Sequence, residues 1–215
     1  MDHGETVELL QRWHSGDRDA LALLLQRDLP WIRAHVSRRL GPLLRAKGET
    51  VDYVQDAFLE TLQYGPRFVV EDVAQFRALV ARIVENTLRD QHDWHDAQRR
   101  GGGGGARVDP LPSNSVLQLD PRMRSVTRPD VAAEQNELKA WMRLALELLE
   151  PDDRRVILLR EFEGLGFAEI GERLGIGETG ARMRFTRAIP RLADKVKQLQ
   201  AGQLRDALGS DPGPA

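Results

Sequence analysis

Residues 165–192 read LGFAEIGERLGIGETGARMRFTRAIPRL, and this stretch decides the fold. Two helical patterns meet there across a very short turn. The first, Phe167 to Leu174, puts Ile170 and Leu174 four residues apart on one face. Gly175 follows as a helix terminator, because glycine accepts the left-handed backbone that ends helices. Ile176 can pack back into the joint, and a second helix begins near Gly177 or Glu178. Its apolar residues Ala181, Phe185, Ala188 and Ile189 recur on one side at helical spacing. Gly171 is small enough to let the two helices cross closely. The pattern predicts a helix-turn-helix.

The second helix carries the chemistry. Thr179, Arg182, Met183, Thr186 and Arg187 face away from its apolar side, with Arg184 on the flank. Arginine can fork onto guanine edges or phosphates, and threonine can bond phosphate or pack its methyl on thymine. Pro190 lacks an amide donor and disfavours helical geometry at Ile189, so the helix is predicted to kink or stop there. A solvated basic helix in an ordinary bundle is the alternative that this pattern leaves open.

Composition narrows the field. A chain of 215 residues has room for one large domain or two small ones. It is rich in leucine and arginine and poor in aromatic residues, so an all-α protein is expected. The formal net charge is only −2. Nucleic-acid binding must therefore come from local patches, and the isolated chain should bind weakly. The chain has no cysteine, which excludes disulfides and thiolate zinc sites. MDHGETVELL lacks the basic-then-apolar plan of a secretory leader, and no apolar run reaches the roughly 20 residues of a membrane span. A cytoplasmic location without membrane contact is the expectation. No nucleophile–base pair, metal motif or phosphate loop suggests an enzyme or a cofactor.

Elsewhere the periodicity is helical. Asp17 resembles an N-cap, and Pro30 marks a kink or a fresh start. Val51 to Gln63 divides into a core stripe, Val54, Phe58 and Leu62 with Val51, and an opposite face on which Asp52, Asp56 and Glu60 recur every fourth residue. That helix has no lysine or arginine, so its acidic face is either solvated or a docking surface for a basic partner. Glu71 and Asp72 open a long helix with Phe76, Leu79, Val80 and Ile83 buried and Trp94 on the same side. Arg82, Asn86 and Arg89 share another side. His92 and His95 lack a firm third ligand, so no metal site is expected. Residues 101–128 hold five glycines and three prolines without a steady period, which predicts a flexible linker. An amphipathic helix from Asp130 follows, with Leu138, Trp141, Met142, Ala145 and Leu148 inward. Pro151 sits in the first turn of the next helix. The boundaries read as 1–100 for one helical domain, 101–128 for the linker, 129–200 for the second domain and 201–215 for a disordered tail.

The ordered set resembles bacterial sigma factors of the extracytoplasmic-function type. LEPDDRRVILLREFEGLGFAEIGERLGIGETGARMRFTRAIPRL is similar to their region four. VDYVQDAFLETL resembles the acidic helix of region two, and FRALVARIVENTLRDQHD the promoter-melting helices after it. The resemblance implies core RNA polymerase and promoter DNA as partners, with an anti-sigma protein left open. By match, Asp52, Gln55 and Asp56 would meet the clamp helices of the largest subunit. Asn86, Arg89, Asp90, His92 and Trp94 would lie in or beside the minus-ten site. Thr179, Arg182, Met183, Arg184, Thr186 and Arg187 would serve the minus-thirty-five element. Leu159 and Phe162 could meet the polymerase flap, although core packing is the simpler use. Two departures stand out. Asp93 and Asp96 interrupt an arginine-rich run, and Gly180 costs about 1 kcal/mol of helix propensity. The competing reading is a helix-turn-helix regulator that binds an operator alone.

Overall fold

A computed structural model describes residues 3–63, 70–99 and 129–209. Among these residues every regular element is helical. The first of two units contains α1 (His3–His14), α2 (Arg18–Arg27), α3 (Leu29–Arg39), the short α4 (Pro42–Arg45), α5 (Thr50–Gln63) and α6 (Val73–Arg99). The second contains α7 (Pro129–Glu147), α8 (Pro151–Ile157), a π-helical turn (Leu158–Phe162), α9 (Phe167–Leu174), α10 (Gly177–Gln200) and α11 (Leu204–Leu208) up to Ala207. The expected linker, 101–128, lies outside the described residues.

Side chains start the helices of the first unit. Asp17 accepts from the backbone N–H groups of Asp19 and Ala20, which caps α2. Asp72 accepts from the Gln75 N–H at 2.8 Å and caps α6. Pro30 falls in the first turn of α3, so it begins a helix and does not kink one. Trp13, Leu24, Leu25, Ile32, Phe76, Leu79 and Ile83 fill the core, with Trp13 edge-on to Phe76. Helix α5 is rotated from the expected register. Tyr53, Val54, Ala57 and Thr61 are buried, whereas Val51 is 41% exposed and Phe58 is half-buried. The Tyr53 hydroxyl donates to Leu44 O at 2.8 Å, and this anchor turns α5 so that Val51 faces out. The side chain of Leu62 lies outside the described residues.

In the second unit Leu144, Leu148, Leu149, Val156, Ile157 and Ile170 form the centre. Leu138 and Ile189, both expected inward, are exposed instead. Glu147 and Arg154 pair at 3.2 Å inside the unit. Helix α10 continues through Pro190 to Gln200, so it does not stop there. Proline inside a helix costs about 3 kcal/mol. Burial of Leu192 and Leu199, at about 1.5–3 kcal/mol each, offsets it. Part of the expected tail, 201–215, is helical, and residues 210–215 lie outside the described residues. Residues 204–208 form α11, because Leu204 and Ala207 are buried. The π turn, which periodicity did not foretell, buries Leu159 and leaves Phe162 half-buried.

Candidate polymerase and nucleic-acid interfaces

The joint between α9 and α10 is built from glycines. Gly175 has φ +68°, the Ile176 N–H donates to Gly171 O at 3.0 Å, and the Gly175 N–H donates to Glu172 O at 3.3 Å. These two bonds form a Schellman motif, which satisfies the last carbonyls of α9. At the other end of α9, Glu169 accepts from the Gly166 N–H at 2.8 Å. A Cβ on Gly171 would lie 2.4 Å from the Gly177 carbonyl carbon, so the helices cross with backbone almost against backbone.

The joint presents α10 with one face out. Thr179, Arg182, Met183, Thr186 and Arg187 are all exposed, and Arg184 is intermediate, as the wheel required. The helix carries six basic residues against Glu178 and Asp194, so it is locally cationic although the whole chain is not. Part of this charge is already engaged. Arg184 pairs with Asp152 and Arg191 with Asp153, both at 2.5 Å. Arg182 pairs with Glu178 at 3.1 Å and lies 5.2 Å over the ring of Phe167. Arg187 is exposed and has no ion-pair partner among the described residues. Thr186 donates its hydroxyl to Arg182 O, which occupies the proton but leaves oxygen lone pairs outward.

The first unit offers two surfaces. On α5, Asp52 and Gln55 are exposed and Asp56 is intermediate. No lysine or arginine on α5 neutralises them, but two are held. Asp52 accepts from the Glu49 N–H at 2.8 Å, and Asp56 accepts from Gln91 Nε2 at 2.5 Å. The second bond links the acidic face of α5 to the outer half of α6.

On α6 the expected minus-ten residues separate. Arg89 and His92 are exposed, Asp90 and Trp94 are half-buried, and Asn86 is only 1% exposed. Asn86 is thus closed to solvent in this structure. Its Oδ1 accepts from Arg89 Nη1 at 3.3 Å, so Asn86 positions Arg89. Glu85, which sequence reading missed, completes the arrangement. It accepts from Arg39 Nε at 2.7 Å, with His35 Nε2 at 3.6 Å and Arg89 Nη2 at 3.8 Å. His35 is buried, and its Nδ1 lies 3.2 Å from Arg39. Glutamate one residue from a suspected site residue, on an arginine-bearing helix, was the available signal. Further along, Trp94 meets His95 edge-on at 4.5 Å. Burial, then Lys47 and His92, hold His95 below the ordinary imidazole value, which favours its neutral form.

Glu85 makes a pH prediction. His35 first, with Arg39 and Arg89, pulls its carboxyl from 4.5 to about 2 against the cost of burial. A lowered carboxylate contributes stability that is full above the unfolded value and is lost as pH falls from about 4.5 to about 2. Glu85→Gln should lower stability by about 2 kcal/mol at pH 7, a figure reduced for partial solvent screening. The gap to wild type should close as pH falls toward 2. Thermal unfolding of both proteins across this range tests it, and a gap independent of pH refutes it.

Among the described residues no helix is long and apolar enough to cross a membrane. A family model for ECF sigma factors matches residues 3–198. The chain is similar to the RNA polymerase sigma factor CarQ of Myxococcus xanthus, with 26% identity over 195 residues covering 89% of this chain and 97% of that protein. It is similar to the ECF RNA polymerase sigma-E factor of Escherichia coli K12, with 26% identity over 191 residues covering 89% and 94%. It is 25% identical over 182 residues to the ECF RNA polymerase sigma factor SigD of Mycobacterium tuberculosis H37Rv, covering 85% and 79%. A match of that extent, over two helical units with an outward cationic helix in one and an acidic helix in the other, means that the chain belongs to the ECF sigma factor family and directs promoter-specific transcription initiation.

Proposed function

We propose that three surfaces divide the work of initiation. The acidic face of α5, through Asp52, Gln55 and Asp56, docks on the basic clamp helices of the largest polymerase subunit. The outer half of α6 takes the opened non-template strand of the minus-ten element. Arg89, aimed by Asn86 and Glu85, supplies the cation, His92 and Trp94 offer ring faces, and Asp90 lies beside them. Unstacked bases favour such cationic and aromatic neighbours. Helix α10 enters the major groove of the minus-thirty-five element, with Arg182, Arg184 and Arg187 on bases or phosphates and Thr179, Met183 and Thr186 beside them. The protein acts in the cytoplasm and is not itself a catalyst. Leu159 is core, so any flap contact falls to Phe162.

The observation that carries this reading is the outward cationic face of α10 held on its glycine joint. Arg182→Ala should lower promoter-specific transcription about 10- to 100-fold, the worth of one bidentate base contact, with core binding unchanged. Promoter binding with and without core polymerase, alongside a pull-down of the core, tests it. Equal loss of both activities argues against the assignment of Arg182. Tight solitary binding to a palindromic site would favour an operator-binding regulator instead.

A further inference from the structure

Arg182 is held more firmly than a surface arginine requires. Its Nη2 donates to Glu178 Oε1 at 3.1 Å, although the two side chains are 63% and 55% exposed. Its guanidinium carbon lies 5.2 Å over the Phe167 ring. Phe167 is itself fixed, edge-on to Phe185 at 5.7 Å and 4.7 Å from the Arg160 guanidinium. Arg160 is tied in turn to Leu165 O at 2.8 Å. The fork of Arg182 is thus preset between a carboxylate and a ring, and most of its five donors remain available. Glu178 uses one oxygen for this bond, and no bond to the other is seen among the described residues. Thr179 and Met183 flank the pair, both exposed. These positions open α10, and the opening turns of a reading helix are the ones that meet base edges.

We propose that Glu178 is a specificity-determining residue that selects cytosine in the base pair beside a guanine taken by Arg182. This rests on α10 being the duplex-reading helix. A carboxylate in the major groove needs a donor. Cytosine N4 offers one, whereas thymine O4 and guanine O6 and N7 repel it, and adenine N6 stands beside the repelling N7. Residues four apart on a helix are about 6 Å apart, enough to reach adjacent base pairs spaced about 3.4 Å. A glutamate that only complements the helix dipole predicts a different result. Its removal would ease repulsion from phosphates and tighten binding to every sequence alike.

The test uses the full chain with core polymerase on a promoter library randomised across the minus-thirty-five box. Wild type should prefer cytosine at one position. Glu178→Ala should relax that preference about 10- to 100-fold while leaving the other positions unchanged. Glu178→Gln should shift it toward adenine, whose N6 and N7 match an amide. Arg187→Ala should weaken all sequences together and reduce the salt slope by about one. Uniform tightening by Glu178→Ala, with base preference unaltered, overturns the proposal while the reading of α10 stands. If neither Arg182→Ala nor Arg187→Ala changes library binding, α10 is not the reader and both fall.

Discussion

Replacing Arg154 by alanine is expected to cost the second unit about 4 kcal/mol, the largest loss of any substitution considered. Arg154 and Glu147 are 7% and 2% exposed, and their atoms meet at 3.2 Å between the end of α7 and α8. Removing the cation takes away this partner from a carboxylate that is only 2% exposed. Next to it, Asp153 is also buried and holds Arg191 of α10, so the damage falls on the face that seats the reading helix. The double change Glu147→Leu with Arg154→Met should return to within about 1 kcal/mol of wild type, because an apolar pair fills the space without desolvating charge. Hydrogen exchange of peptides covering 141–159 in the full chain measures both. A loss below about 1 kcal/mol for Arg154→Ala would show that the pair is not closed to water.

Gly171→Ala should also be harmful although it adds a single carbon. The new Cβ would sit 2.4 Å from the Gly177 carbonyl carbon and 2.5 Å from its oxygen. Both are backbone atoms, so no rotamer relieves the clash. Overpacking of this kind costs about 1–3 kcal/mol, against about 1 kcal/mol regained in helix propensity. The expected balance is a loss of up to about 2 kcal/mol, with α10 pushed away from α9. Promoter-directed transcription should fall further than stability does, because the base-reading face moves with the joint. Core binding, which belongs to the first unit in this reading, should persist. Faster exchange confined to residues 167–188 would accompany it. A Gly171→Ala protein with wild-type melting and wild-type promoter activity would mean that the crossing has slack.

Both substitutions touch features of different legibility. The glycine joint was readable because its cause is local. A terminator such as Gly175 acts through its own backbone angle, and Gly171 declares itself by its missing side chain. The buried stripe of α6 was readable for a similar reason, since Phe76, Leu79, Val80 and Ile83 mark one face. What failed depends on distant partners. Nothing in VDYVQDAFLETL says that Tyr53 finds Leu44 O and turns Val51 outward. Pro190 carries a correct local penalty, but Leu192 and Leu199 overrule it from beyond the proline. Asn86 looked like a surface amide because its helical neighbours are Arg82 and Arg89. It is only 1% exposed, and spacing alone does not show that. The pairing of Arg184 with Asp152 spans 32 positions and was likewise hidden.

The uninterrupted α10 has a mechanical consequence. Twenty-four residues at about 1.5 Å each make a strut of about 36 Å. Were it jointed at Pro190, tilting the groove end would leave the far end at rest. As one continuous rod turning about its middle, it would sweep each end through about 3 Å for a 10° tilt, and Leu199 would travel with Arg182. The seat of α10 on α7 and α8 therefore sets the angle at which the strut meets the duplex, and strain applied at either extremity is transmitted to the other.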